Sequence, residues 1–172
     1  MLRLMGLLGI VVLCTAFGYS FSTRLFRRIT SLKEMRKLVE ILQGEVRYAI
    51  NPLGEAIKNT AKHASPVLQT FFLSVAEDME LRDGRTLEEI FRVESKMLLT
   101  QSALEERDVQ MLVQMGAGLG YLDVQMQVKT MEYYLEELKK ACAMAEEEYR
   151  EKGKLYRSLG FMGGLFLAVV LL

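Results

Sequence analysis

Apolar residues recur every three or four positions through most of this 172-residue chain, the period of a helix with one buried face. The first run carries Leu25, Ile29, Leu32, Met35, Val39, Leu42, Val46 and Ala49. It ends at Asn51-Pro52, because the residue before a proline is steered away from the α region. Pro52 opens a short helix with Leu53, Ala56, Ile57, Thr60 and Ala61 on one face. Ser65-Pro66 repeats the device ahead of Leu68, Phe71, Phe72, Val75 and Met79. Asp83-Gly84 is a turn signal, and Thr86-Leu87-Glu88-Glu89 is a capping-box pattern. That box opens a helix bearing Leu87, Ile90, Phe91, Met97 and Leu98, and a further helix is expected from about Ser102 to Met115.

Gly116 to Gly120, with three glycines in five residues, breaks the pattern and predicts a helix–helix corner, its glycines taking positive φ or allowing close approach. Asp123 is placed to cap the longest element. Along it Val124, Val128, Met131, Leu135, Leu138, Cys142, Ala145 and Tyr149 alternate steps of four and three. That 3.5-residue stripe predicts near-parallel packing against one partner helix, and the first long helix has matching spacing. With no Trp, two prolines and no alternating β-branched run, the expected fold is all-α. It reads as an antiparallel bundle of about six helices, whose long first and last helices continue into membrane segments.

Both ends support that continuation. Leu4 to Phe21 and Leu159 to Leu172 carry no Lys, Arg, Asp or Glu. Arg24, Arg27 and Arg28 follow the first segment, and Lys152, Lys154 and Arg157 precede the second. Basic residues beside a span stay on the cytoplasmic side, so both flanks predict one two-pass topology. The expected layout is an N-terminal transmembrane segment over 1–22, a cytoplasmic bundle over 23–154 and a C-terminal transmembrane segment over 155–172. Both termini lie on the far side. A cleavable signal ending near Ala16-Phe17-Gly18 is the competing reading of the first segment, and its length and helical continuation favour a retained anchor. The second segment is short. Counted from Leu155, it reaches ~27 Å against a hydrocarbon core of ~30 Å.

Charge is zero overall but uneven along the chain. Residues 22–62 hold nine Lys/Arg against four Asp/Glu, and residues 77–151 hold nine against eighteen. The basic part suits anionic lipid headgroups. The acidic part, with Glu80, Asp83, Glu88, Glu89, Glu105 and Glu106, is the candidate surface for a basic protein partner. No basic stripe interleaved with aromatics is present, which argues against nucleic acid.

Nothing assembles a catalytic centre. His63 is the only histidine, and no Cys, Asp or Glu lies at ligand spacing from it. The glycine cluster lacks the preceding strand and the lysine of a phosphate-binding loop. Cys14 and Cys142 are too far apart in sequence to suggest a framework and read as reduced thiols. No metal, cofactor or small-molecule substrate is expected.

Three local strings, in order, carry a family resemblance. Glu45-Val46-Arg47-Tyr48 with Asn51-Pro52-Leu53-Gly54-Glu55-Ala56 is the first. Met115-Gly116 through Leu119-Gly120, with Asp123 and Gln127, is the second. Lys152 to Gly160, followed by Gly163-Gly164, is the third. Together they resemble the stage III sporulation protein AB family of endospore-forming bacteria, with Glu45, Pro52, Leu53, Gly116, Gly120 and Asp123 as motif positions. The resemblance implies a fold similar to the cytoplasmic domain of the type II secretion F protein. It also implies a non-enzymatic platform in the mother-cell membrane, beside a secretion-type ATPase and ring-forming channel proteins. The rival readings are a membrane-anchored coiled-coil sensor and a subunit of a membrane enzyme or transporter.

Overall fold

The structure is a computed structural model and describes residues 2–48, 52–120 and 123–170. Among the described residues there are seven α-helices and no strand. They are α1 (Leu2–Tyr48), α2 (Leu53–Ala61), α3 (Pro66–Leu81), α4 (Leu87–Glu94), α5 (Lys96–Gln101), α6 (Glu106–Leu119) and α7 (Val124–Val170). The all-α expectation holds, with one helix more than expected. The expected stop at Asn51 and the stripe position Ala49 lie outside the described residues.

The extra helix arises at Ser95. Its N–H still reaches Phe91 O at 2.9 Å, but its own carbonyl accepts from Leu98 N, a tighter turn that separates α4 from α5. Ser102 then acts as a stop, not the start expected of it. Its hydroxyl donates to Leu98 O and accepts from Leu104 N at 3.1 Å. Helix α6 opens later, where buried Asp108 accepts from Glu105 N at 2.9 Å.

The chain divides into two compact units, residues 30–142 and residues 1–29 with 143–172. The larger unit holds the core. Helix α1 contributes Leu32, Met35, Leu38, Val39 and Leu42, all essentially inaccessible. Helix α2 packs on α3 and α4 on α6. Phe71 meets Phe72 and Phe91 edge-on, with ring centroids 5.1 and 5.6 Å apart.

Helix α7 corrects the single-seam expectation. Tyr134, Ala141 and Gln127 are buried beside Val128, Met131 and Leu138, whereas Val124 is exposed and Leu135 only half-buried. In this unit α7 lies against two neighbours, α1 and α6. Gln43 Nε2 donates to Val128 O from one side, and Gln127 Nε2 donates to Leu119 O at 3.1 Å on the other. A second neighbour requires a wider buried face than a two-helix seam.

In the glycine cluster the close-approach reading holds, and only the corner lies later than expected. Gly116 and Gly118 lie inside α6, and the corner begins only at Gly120. A Cβ on Gly116 would stand 2.5 Å from Phe91 Cγ, and one on Gly118 would stand 2.4 Å from Thr130 Cγ2. These glycines admit neighbouring side chains. The positive φ angles fall elsewhere, at Arg82 and Gly84.

In the smaller unit α1 and α7 run antiparallel. Phe26 meets Tyr149 with centroids 5.8 Å apart, Arg28 meets Glu148, and Gly153 faces Ser22. Among the described residues no helix is long and apolar enough to cross a membrane. The two expected membrane segments fall mainly on residues whose side chains lie outside the described set.

Candidate interaction surface

Within the larger unit, the loop between α3 and α4 and the ends of α2 and α6 enclose an open groove of about 870 Å³. Leu53, Met79, Leu87 and Leu119 supply apolar lining. Asp78, Asp83 and Glu88 supply negative charge, and Arg82 and Arg85 positive charge. Leu53 and Gly120, from two strings far apart in sequence, meet here with Asp83 and Glu88. Gln127, from the second string, lines the same groove and is tied to the last turn of α6.

The loop has a specific local structure. Arg82 ends α3 in the left-handed conformation and Gly84 also has positive φ, so the chain reverses within three residues. Arg85 locks the turn, reaching Asp78 at 2.7 Å and Asp83 at 2.6 Å. Those hydrogen bonds, to Asp78 first and Asp83 second, raise the guanidinium pKa further. In return the Arg85 backbone N–H, and then its guanidinium, hold Asp83 below the ordinary carboxylate range. Thr86 caps α4: Glu89 N donates to its hydroxyl at 3.2 Å, and Thr86 N donates to the Glu89 carboxylate at 2.7 Å. That backbone N–H, followed by the Thr86 hydroxyl, lowers the Glu89 pKa.

The acidic residues do not form one free patch. Glu80 is bonded to Lys58 at 2.5 Å, Asp83 to Arg85, Glu88 to Arg92, Glu89 to Thr86, and Glu105 to Arg107 at 3.4 Å. Glu106 borders a second groove of about 490 Å³ with Ser95, Lys96 and Gln110. Arg85, which organises the first groove, was not singled out in the sequence. The only signal was its place between Asp83-Gly84 and the capping box.

The remaining motif residues have structural partners. Glu45 accepts from Asn59 Nδ2 at 3.0 Å, tying the end of α1 to α2. Pro52 is the N-cap of α2, and its carbonyl accepts from Ala56 N. Asp123 Oδ1 accepts from Gln125 N at 3.2 Å at the start of α7. His63 is exposed in the turn after α2.

The basic flanks split in two. Arg24 and Arg27 are exposed, but Arg28 is only 2% exposed and reaches Glu148 at 3.5 Å. Lys152 reaches the other Glu148 oxygen at 2.8 Å. A carboxylate on α7 thus holds Arg28 between the helices, while Arg24 and Arg27 stay on the surface. The side chains of Lys154 and Arg157 lie outside the described set.

Residues 3–172 match the family model for Stage III sporulation protein AB (spore_III_AB). The chain belongs to the stage III sporulation protein AB family. It is 26% identical over 172 residues to the Stage III sporulation protein AB of Bacillus subtilis (strain 168), covering all of both chains. A solved structure of a Stage III sporulation protein AB superposes with a TM-score of 0.64 at 22% identity, over 72% of this chain and 96% of that one. At that identity the likeness speaks for the fold. Family membership makes this a sporulation protein, as the three strings implied.

Proposed function

We propose that this chain is a non-enzymatic membrane platform in a sporulation-specific, secretion-like channel between mother cell and forespore. The groove on the larger unit docks a cytoplasmic secretion-type ATPase, and the smaller unit engages membrane-embedded ring components. The chain passes the membrane twice, with the bundle in the mother-cell cytoplasm. Its action is mechanical: it links a partner in solution to partners in the bilayer.

The observation that carries this reading is the uncharged helical opening of α1, beside which two polar side chains are held between the helices. Ser22 and Arg28 are buried, while Tyr19, Phe26, Leu155 and Met162 are each more than half exposed. Polar groups held between helices with apolar groups outward suit a bilayer, where buried polar side chains join helices and lipid covers the rest. The 18 uncharged residues from Leu4 to Phe21 are helical and extend ~27 Å, close to the ~30 Å hydrocarbon core.

The groove supports the docking half of the reading. It joins Leu53 and Gly120, from separate strings, to an apolar floor with nearly balanced charge. It therefore suits an apolar side chain flanked by polar contacts better than a strongly basic segment. A photo-crosslinking residue replacing Glu88 should capture the secretion-type ATPase in sporulating cells, and the same residue replacing exposed Lys139 should not. Equal capture at both positions, or capture of membrane proteins alone at position 88, contradicts the assignment.

A further inference from the structure

The smaller unit carries positive charge that its own ion pairs leave outward-facing. Arg24 and Arg27 are exposed and three residues apart, so they share one face of α1. Exposed Phe21 lies one turn before Arg24 on the same face, while Phe26 packs on Tyr149 of α7. Arg28 and Lys152 are directed to Glu148 instead. Helix α7 is net acidic at this level. Its exposed Glu146, Glu147 and Glu151 stand against exposed Arg150 and the Glu148-bound Lys152. The contacts of Phe26 with Tyr149 and of Ser22 with Gly153 set Arg24 level with Glu151 and Arg27 level with Glu148, the carboxylate that Arg28 and Lys152 already hold.

We infer that Arg24 and Arg27, with Phe21 one turn nearer the uncharged segment, bind the phosphate of an anionic phospholipid in the leaflet at this level. This rests on the membrane reading above and adds a defined site to it. A guanidinium presents two parallel N–H donors that match a phosphodiester, and two on one face can share a headgroup. Aromatic rings sit at the headgroup boundary, with their apolar bodies toward the acyl chains and polar edges toward water. The division among three neighbouring arginines gives the site its specificity. Arg28 holds α7 through Glu148, while Arg24 and Arg27 face outward.

The test uses the full chain in nanodiscs of equal phosphatidylglycerol and phosphatidylcholine, with retained lipid read by native mass spectrometry. The unmodified chain should retain phosphatidylglycerol over phosphatidylcholine by at least about five-fold, the scale of one basic contact at an anionic surface. Arg24→Gln/Arg27→Gln should bring the ratio near one. Lys62→Gln/Lys129→Gln, which removes two exposed cations from the larger unit, should leave it unchanged. Circular dichroism checks that each variant keeps its helix content, and Arg27→Gln alone, expected at an intermediate ratio, serves if the double variant does not. An embedded chain with no preference, or a preference that survives loss of both arginines, overturns the site alone. A chain that does not enter the nanodisc overturns the site and the membrane reading together.

Discussion

Arg28 shows how one side chain changes meaning between sequence and structure. In the sequence it is one of three basic residues beside an apolar segment; in the fold it is buried against Glu148. Removing one partner of a buried pair leaves the other uncompensated, though the partial exposure of Glu148 and its second contact with Lys152 limit the cost. Arg28→Met should destabilise the helix pair by about 1–3 kcal/mol, and Arg28→Met/Glu148→Met should recover most of that. Denaturant melts in detergent measure both, and a double variant no better than the single would show that pairing is not the cause. The glycines make a second contrast. Gly116→Ala drives a methyl into the Phe91 ring and should cost about 1–3 kcal/mol. Gly44→Ala, inside α1 with nothing within 4 Å, should gain about 0.5–1 kcal/mol from helix propensity. Equal effects at the two positions would contradict the close-approach role.

The elements differ in how fully their sequences announce them. The Thr86–Glu89 capping box, the Ser65-Pro66 start and the α1 stripe were legible because each depends on residues close in sequence. The α7 stripe was legible only in part. Tyr134 and Ala141 are buried by a second neighbour, and no local spacing encodes which helix that will be. For the same reason the glycine cluster allowed for a close approach without naming its partner, since the reason for Gly116 is Phe91, 25 residues earlier. The groove was partly readable: Leu53, Gly120, Asp83 and Glu88 were marked, but their meeting around Arg85 follows from tertiary packing. Leu138, 1% exposed, should lose about 2–5 kcal/mol on truncation to Ala, and half-buried Leu135 clearly less. Comparable losses would restore the single-seam picture. The start of α4 should respond to acid. Asp83 and Glu89 have depressed folded-state values, so their contribution is complete near neutral pH. It is lost as pH falls through those values. Hydrogen exchange at residues 86–90 should therefore accelerate below the ordinary carboxylate range, and Glu89→Gln should weaken that response.

At the scale of the whole chain, the larger unit is a many-helix bundle and the smaller unit is a pair of long helices. Residues 30–142 bury Phe71, Phe72, Phe91 and Leu112 in an ordinary apolar core. Residues 1–29 and 143–172 bury Ser22 and Arg28 and expose aromatics. The proposed platform would use the bundle for its cytoplasmic partner and the helix pair for its membrane partners. The most direct measurement is thiol accessibility in sporulating cells, with Cys14→Ser/Cys142→Ala as background and His63→Cys as the single reporter in the larger unit. An impermeant maleimide should leave that reporter unlabelled in intact cells and label it fully once the mother-cell membrane is opened. Labelling in intact cells would place the bundle on the other side of the membrane and contradict the account.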